Sequence, residues 1–149
     1  MANREGGCPY QDRHKLKFRR RPGHYAIVRL APDAPVPGWA AKGDFTSIVR
    51  TAGELSIVCP ADDPPPDVHS PHRWICLELK GPFPFSQTAV LLSFIEPLSK
   101  NGIPIFAIST YDTDYILVQE EFHDAVLDTL QAAGHELWPR DKARREVIK

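Results

Sequence analysis

Cysteine is scarce in this sequence, and a long hydrophobic run is missing. The three cysteines among 149 residues show no C-x-x-C spacing, which excludes the usual zinc and dithiol motifs of that form. An odd number of cysteines without a secretion signal favours a reducing cytoplasm, and the first seven residues are polar rather than signal-like. No apolar run approaches the roughly 18 residues that a membrane helix needs. We therefore expect a cytoplasmic protein with no membrane partner.

The sequence also lacks an excess of charge of either sign. Its formal net charge is -1, with 18 basic and 19 acidic side chains, so bulk charge indicates neither nucleic-acid nor membrane binding. The one basic cluster, residues 13–21, is compatible with an acidic or nucleic-acid partner. Lysine and arginine also protect the edges of sheets from mispairing. We favour the sheet edge and expect no nucleic-acid partner.

Motifs for catalysis are missing as well. The chain contains no G-x-S-x-G, P-loop or dinucleotide fingerprint, so no cofactor is predicted. His69 and His72 are spaced like a metal pair, but the Ser-Pro backbone between them makes an exposed linker the better interpretation. We expect neither enzyme activity nor a metal site.

The pattern of apolar residues predicts an α+β protein with two units. Three consecutive prolines make residues 61–67 a semi-rigid linker between them. Alternating and β-branched runs predict four strands before this linker, with only a short helical turn around Trp39 (strands 15–18, 25–30, 45–50 and 54–59). We expect an N-terminal unit over residues 14–66, a C-terminal unit over 72–138, and flexible tails at 1–13 and 139–149.

The second unit follows the order β-α-β-β-α-β, which predicts a sheet with helices on one face. Its first helix is expected to begin after Ser86 as N-cap and to run to Asn101, and Pro97 should kink it or end it early. Glu120 and Glu121 suit the start of the second helix. The strands of this unit are expected at residues 74–79, 103–108, 115–118 and 135–138.

A polar turn between two β-branched runs is the most distinctive stretch, within residues 105–118. It places hydroxyls and two carboxylates where glycine, asparagine or proline would be enough to turn the chain (Ser109, Thr110, Tyr111, Asp112, Thr113 and Asp114). Asp114 can pair with an ammonium or guanidinium group. Free N–H groups at the helix start near Ser86 can bind a carboxylate. The residues alone leave open whether these aspartates bind a ligand or shape the hairpin.

An internal repeat relates the two units. Residues 50–59 align without gaps on residues 109–118, so that Thr51 matches Thr110. The first unit is shorter between its opening strand and this turn, and Leu55 stands where the second unit has Asp114. We predict that the first unit is degenerate and that the second carries the better-formed polar site.

These features resemble those of small proteins made of two tandem ACT domains, related to the ACT modules of the CASTOR arginine sensors. The likeness rests on residues 54–59, 74–82, 85–102, 106–118 and 132–135. It implies two ferredoxin-like βαββαβ units, the first degenerate, with antiparallel sheets and helices on one face. It also implies a non-catalytic regulatory module that binds an amino acid at an interface between ACT domains. Such a module would work as a homodimer or with another protein partner.

The resemblance also suggests which residues contact the ligand. In the arginine sensors a threonine, an aromatic residue and an acidic residue of this turn do so, at positions that match Thr110, Tyr111 and Asp114. The backbone at the start of the preceding helix contributes too, which maps to Phe85, Ser86, Gln87 and Thr88. The role of Asp112 stays open.

Two alternatives to an amino-acid sensor remain open at this point. The first is a structural or protein-interaction protein with the ACT fold and no ligand. The second is a small enzyme, which would need a base or nucleophile facing Asp114. If a ligand binds, an acidic contact fits arginine and lysine as well as the ammonium group of any amino acid.

Overall fold

The computed structural model describes residues 14–83 and 89–139. Within them, the chain forms a mixed α+β structure, as predicted, with two 3-10 turns at Gly38–Ala41 and Glu120–Phe122. The α-helices are α1 (Val90–Lys100) and α2 (His123–Ala132). The strands are β1 (Lys17–Arg20), β2 (Tyr25–Leu30), β3 (Ser47–Arg50), β4 (Leu55–Pro60), β5 (Trp74–Leu79), β6 (Phe106–Ser109), β7 (Asp114–Gln119) and β8 (Glu136–Leu137). The expected tails at 1–13 and 139–149, apart from Pro139, and the expected helix start at Ser86 lie outside the described residues.

The eight strands form one largely antiparallel sheet. In the first half of the chain β4 lies between β2 and β3, and in the second half β7 lies between β5 and β6. The two halves join where Tyr25 of β2 pairs with Trp74 of β5. Each half therefore contributes the same three-stranded arrangement, and the two lie side by side through β2 and β5.

The internal repeat is visible in the geometry of the two hairpins. The last pairs before each turn are Arg50 with Leu55 and Ser109 with Asp114, at the positions that the sequence alignment equates. In both turns the threonine after the first strand donates its backbone N–H across the turn, at 2.9 Å in the first half and 2.8 Å in the second. The repeated sequence thus folds into a repeated hairpin.

Strand β1 is the exception to this repeat, because it pairs with the second half of the chain. Phe18 lies opposite Leu79 of β5 in an antiparallel pairing and opposite Leu137 of β8 in a parallel one. The first strand of the chain therefore lies between β5 and β8. The unit boundaries expected from the sequence stay a prediction. The predicted N-terminal unit contains β1, although β1 pairs with β5 and β8 of the predicted C-terminal unit.

The helices cover one face of the second half of the sheet. Alternate residues of β5 point toward them and are fully buried, as is Phe18, whose ring lies 5.4 Å from that of Phe94. The helices contribute apolar residues at helical spacing (Val90, Phe94 and Leu98 from α1, Val126 and Leu130 from α2). Full burial of one such side chain contributes about 1.5–3 kcal/mol. This core holds the second half together and includes β1.

Helix α1 contains Pro97 and continues through it to Lys100, so it does not end early there. Proline has no N–H, which leaves the carbonyl of Ser93 without its helical donor. His135 Nε2 donates to that carbonyl at 2.9 Å instead. Gly102 follows the helix with φ +70°, the conformation expected for a residue just after a helix C-terminus.

A short 3-10 turn stands in the first half where the second half has α1. Ala40 of this turn is fully buried against Ala26 and Val28 of β2, and Trp39 packs beside it. The predicted helical turn around Trp39 is therefore confirmed. No helix in the described part of the chain is long and apolar enough to cross a membrane.

Candidate functional site

The polar turn between β6 and β7 is held by its own side chains. Thr110 Oγ1 donates to the carbonyl of Thr113 at 3.0 Å and accepts the N–H of the same residue at 3.4 Å. Ser109 Oγ donates to Asp114 Oδ1 at 2.5 Å. The hydroxyl of Thr110 and one oxygen of Asp114 therefore stabilise the hairpin, as short polar side chains commonly do in turns.

The site residues suggested by the resemblance differ in their exposure. Thr110 and Tyr111 are exposed, and 81% of the surface of Tyr111 is accessible, while Asp114 is half-buried. The structure brings these three residues together on one turn. The other four candidates, Phe85, Ser86, Gln87 and Thr88, lie outside the described residues.

The turn packs against the loop that leads from β5 to α1. Thr113 Oγ1 donates to the carbonyl of Leu79 at 2.8 Å, and the N–H of Phe83 donates to the carbonyl of Asp112 at 2.9 Å. A Cβ atom at Gly81 would lie 2.7 Å from that same carbonyl, so only glycine fits without a shift of the backbone. The turn and the loop therefore form one continuous surface.

A cleft of about 300 Å³ lies beside this contact. Both segments line it, together with residues of β5, β7 and the end of the described chain (Glu78, Leu79, Lys80, Gly81, Pro82, Asp112, Thr113, Tyr115 and Trp138). Strand alternation places Glu78 and Lys80 on the face of the sheet opposite the helices. A volume at the lower end of the usual ligand range suits a small metabolite.

Glu78 lines the cleft, and its carboxylate already has ion-pair and hydrogen-bond partners. Its buried carboxylate pairs with Arg19 and, at 3.5 Å, with Arg21 Nη1, and it accepts a hydrogen bond from the hydroxyl of Tyr115 at 3.0 Å. Burial, and then the hydrogen bond to Glu78, raise the pKa of Tyr115. Tyr115 is therefore a neutral hydrogen-bond donor near neutral pH, and Glu78 positions its hydroxyl.

Two other polar side chains that line the cleft have no ion-pair partner within residues 14–83 and 89–139. Lys80 and Asp112 are exposed, and neither forms an ion pair with another residue of the described ranges. Lys80 Nζ lies 5.8 Å from the ring centre of Trp138, and the guanidinium of Arg19 lies 4.5 Å from the same ring. The cleft thus presents an ammonium, a carboxylate and two aromatic side chains.

Sequence reasoning did not find most of this cleft. Lys80, Tyr115 and Trp138 were not assigned a role, and Asp112 was left open. The only local signal was the appearance of Glu78 and Lys80 at the end of an otherwise apolar strand. Trp138 reaches the cleft through the long-range pairing of β8 with β1, which no local pattern indicates.

The described cysteines are buried thiols outside the cleft. Cys59 and Cys76 are fully inaccessible, and burial raises their pKa values to about 11 and about 12. They are therefore protonated and unreactive near neutral pH. Among residues 14–83 and 89–139, no three His, Cys, Asp or Glu side chains are grouped as metal ligands.

Comparison with known proteins identifies the family to which the chain belongs. A model described as "ACT domain" matches residues 69–132. The solved structure of protein Atu0741 from Agobacterium tumefaciens is 43% identical, covers 83% of this chain and 92% of its own, and superposes with a TM-score of 0.77. The chain belongs to the same family as Atu0741, and its second half is an ACT domain. The ACT domain includes both sides of the turn and loop contact, whereas β1 and Trp138 lie outside the matched residues.

More distant likenesses concern the fold alone. Protein VC0802 from Vibrio cholerae, described as a protein of unknown function and possible transport protein, is 17% identical with a TM-score of 0.64, covering 81% of this chain and 91% of its own. A structure of aspartokinase alpha and beta subunits is 16% identical with a TM-score of 0.56, covering 80% of this chain and 98% of its own. A second family model, that of an N-terminal domain, matches residues 23–67. No curated protein matches the chain.

Proposed function

We propose that this ACT-domain protein is a non-catalytic regulatory module that binds a free amino acid. The observation that carries the proposal is the packing of the polar turn of the ACT domain against the β5–α1 loop, beside a cleft of small-metabolite size. Groups that suit both ends of an amino acid lie on this surface, since carboxylates accept an ammonium and an ammonium or backbone N–H groups accept a carboxylate. We propose ligand contacts from Thr110, Tyr111 and Asp114 and from the backbone of residues 85–88.

The two halves have different parts in this proposal. The second half carries the polar turn, whereas the first has Leu55 at the position of Asp114 and a 3-10 turn in place of α1. Binding would therefore occur in the second half, and the first half would transmit it as part of the same sheet. The output is contact with a second copy of the chain or with another protein partner, in a cytoplasmic setting.

Thermal unfolding in the presence of each of the twenty amino acids tests the proposal. A ligand at 100 times its dissociation constant should stabilise the protein by about 2.7 kcal/mol. The variant Asp114→Asn should lose this stabilisation if Asp114 contacts the ligand, while Asp128→Asn, on the exposed face of α2, should keep it. If no amino acid at millimolar concentration shifts the midpoint, amino-acid binding is rejected and an ACT-fold interaction protein without a ligand is the remaining interpretation.

A further inference from the structure

Lys80 is the basic residue among those that line the cleft. The pairing of β1 with β5 places Lys17 beside Lys80, whose N–H donates to the carbonyl of Lys17 at 2.8 Å. Like charges opposite one another on neighbouring strands are destabilising. Glu136 of β8 lies opposite Lys17 on the other side of β1. Lys80 faces Lys17 and therefore has a basic rather than an acidic neighbour on β1. Arg19 adds a further positive charge on the ring of Trp138.

The cleft is also lined by an acidic residue, Asp112. The backbone of Asp112 is fixed by the N–H of Phe83 at 2.9 Å and by close packing against Gly81. Its carboxylate is exposed and forms no ion pair with a residue of the described ranges. The nearby carboxylate of Glu78 is already paired with two arginines and a tyrosine. Asp112 is therefore the acidic group of the cleft that remains for a ligand.

The size and lining of the cleft limit what fits between these charges. About 300 Å³ is at the lower end of known ligand sites, which suits a single amino acid rather than a nucleotide cofactor. The aromatic side chains of Trp138 and Tyr115 also line it and provide apolar surface. Because Arg19 and Lys80 already lie on Trp138, a positively charged ligand side chain would add a third cation there.

We propose that this cleft is the amino-acid site, with Lys80 pairing with the ligand carboxylate and Asp112 with its ammonium group, and that it selects amino acids whose side chains carry no positive charge. The proposal rests on the proposed function and adds Lys80 and Asp112 to the contacts proposed there. One oxygen of Asp114 and the hydroxyl of Thr110 are also hydrogen-bonded within the hairpin. Arginine and lysine are therefore excluded as preferred ligands.

Isothermal titration calorimetry with the full chain tests this assignment. Wild-type protein is titrated with each of the twenty amino acids, and the best ligand is then titrated into Lys80→Met and Asp112→Asn. A hydrogen bond to a charged group contributes about 1.5–3 kcal/mol, so each variant should bind at least about tenfold more weakly. Lys42→Met and Asp128→Asn remove exposed charges outside the cleft and should bind like wild type.

The outcomes separate the cleft from the proposed function. Loss of affinity in both cleft variants, with unchanged unfolding midpoints in the absence of ligand, supports the cleft. If an amino acid binds wild type and both cleft variants equally, the cleft is rejected while the proposed function stands, and loss of binding in Asp114→Asn would then place the ligand at the turn. If arginine or lysine binds best, the selectivity is rejected. If no amino acid binds wild type, both proposals fail.

Discussion

His135 connects three elements through its two ring nitrogens. Its Nδ1 accepts the backbone N–H of Leu16 at 3.0 Å, and its Nε2 lies 2.9 Å from the carbonyl of Ser93. Because an N–H must donate to Nδ1, the ring carries its proton on Nε2 and is neutral. Only 3% of the residue is accessible, and burial lowers its pKa. The imidazole therefore also supplies the donor that Pro97 removes from helix α1.

This arrangement predicts a pH dependence of stability. The folded pKa of His135 lies below its unfolded value of about 6.5, so the unfolded chain binds more protons as the pH falls. The stabilisation is complete above pH 6.5 and is lost as the pH falls toward the folded pKa, by at most about 1.4 kcal/mol per pH unit. The variant His135→Gln has a donor and an acceptor but does not titrate. Urea unfolding at pH 5–8 should give it a shallower slope than wild type, and identical slopes would contradict the prediction.

Gly81 is a second single residue on which the site depends. A methyl group there would lie 2.7 Å from the carbonyl oxygen of Asp112. That oxygen belongs to the backbone, so it cannot move away by a change of rotamer. We expect Gly81→Ala to lower the free energy of unfolding by about 1–3 kcal/mol. Gly38→Ala is the matched control, because a Cβ at Gly38 meets nothing within 4 Å, and it should be neutral or stabilise slightly. Equal urea midpoints for the two variants would show that the turn and loop contact is not tight.

At the scale of elements, the β3–β4 and β6–β7 hairpins provide an internal control for the candidate site. Thr51 Oγ1 accepts the N–H groups of Gly53 and Glu54 at 3.1 and 3.2 Å. Thr110 Oγ1 accepts the N–H of Thr113, the equivalent of Glu54, at 3.4 Å, and it also donates to the carbonyl of Thr113 at 3.0 Å. The two turns have the same register and the same threonine, and they differ at the position occupied by Leu55 or Asp114.

We predict that Thr51→Ala and Thr110→Ala destabilise the protein by similar amounts, about 1 kcal/mol each, since each removes one turn hydroxyl. Thermal unfolding without ligand measures this effect. Calorimetry with the best amino acid then separates structure from binding. A Thr110→Ala variant of unchanged stability that no longer binds ligand would make its hydroxyl a ligand contact rather than a turn residue.

Local patterns predict most elements of this protein but not all of their partners. The strands at 25–30 and 74–79 were predicted with the observed bounds, because their apolar runs end at turns on both sides. The repeat likewise predicted the equivalence of the two hairpins. Helix α1 continues through Pro97 because a histidine 38 residues later replaces the missing donor, and such a contact has no signature near the proline. For the same reason the turn was identified from the sequence, whereas the wall formed by Lys80 and Trp138 was not.

At the scale of the whole molecule, β1 connects the beginning of the described chain with its end. Phe18 lies between β5 and β8 and is fully buried against the helices, with its ring 5.4 Å from that of Phe94. The strand also carries Arg19, which contacts both Glu78 and Trp138. The second half therefore depends on the first strand for its core and for one wall of the cleft.

We predict that Phe18→Ala lowers the free energy of unfolding by about 3–5 kcal/mol, because it leaves a cavity in the core of the second half. Val49→Ala, on the exposed edge strand β3, is the control and should change it by no more than about 0.5 kcal/mol. Chemical denaturation followed by near-ultraviolet circular dichroism measures both. A small loss in Phe18→Ala would mean that the second half folds without β1.

The position of β1 has a consequence for how this chain folds. The hydrogen bond from Leu16 to His135 joins residues 119 apart, and the sheet is complete only when the edge strand β8 pairs with β1. During synthesis on the ribosome, β1 can pair with both β5 and β8 only after nearly all described residues have emerged. Contacts of such high sequence separation slow folding. We therefore expect the β2–β4–β3 hairpin region to form early and the β1–β8 pairing to be the late step of the reaction.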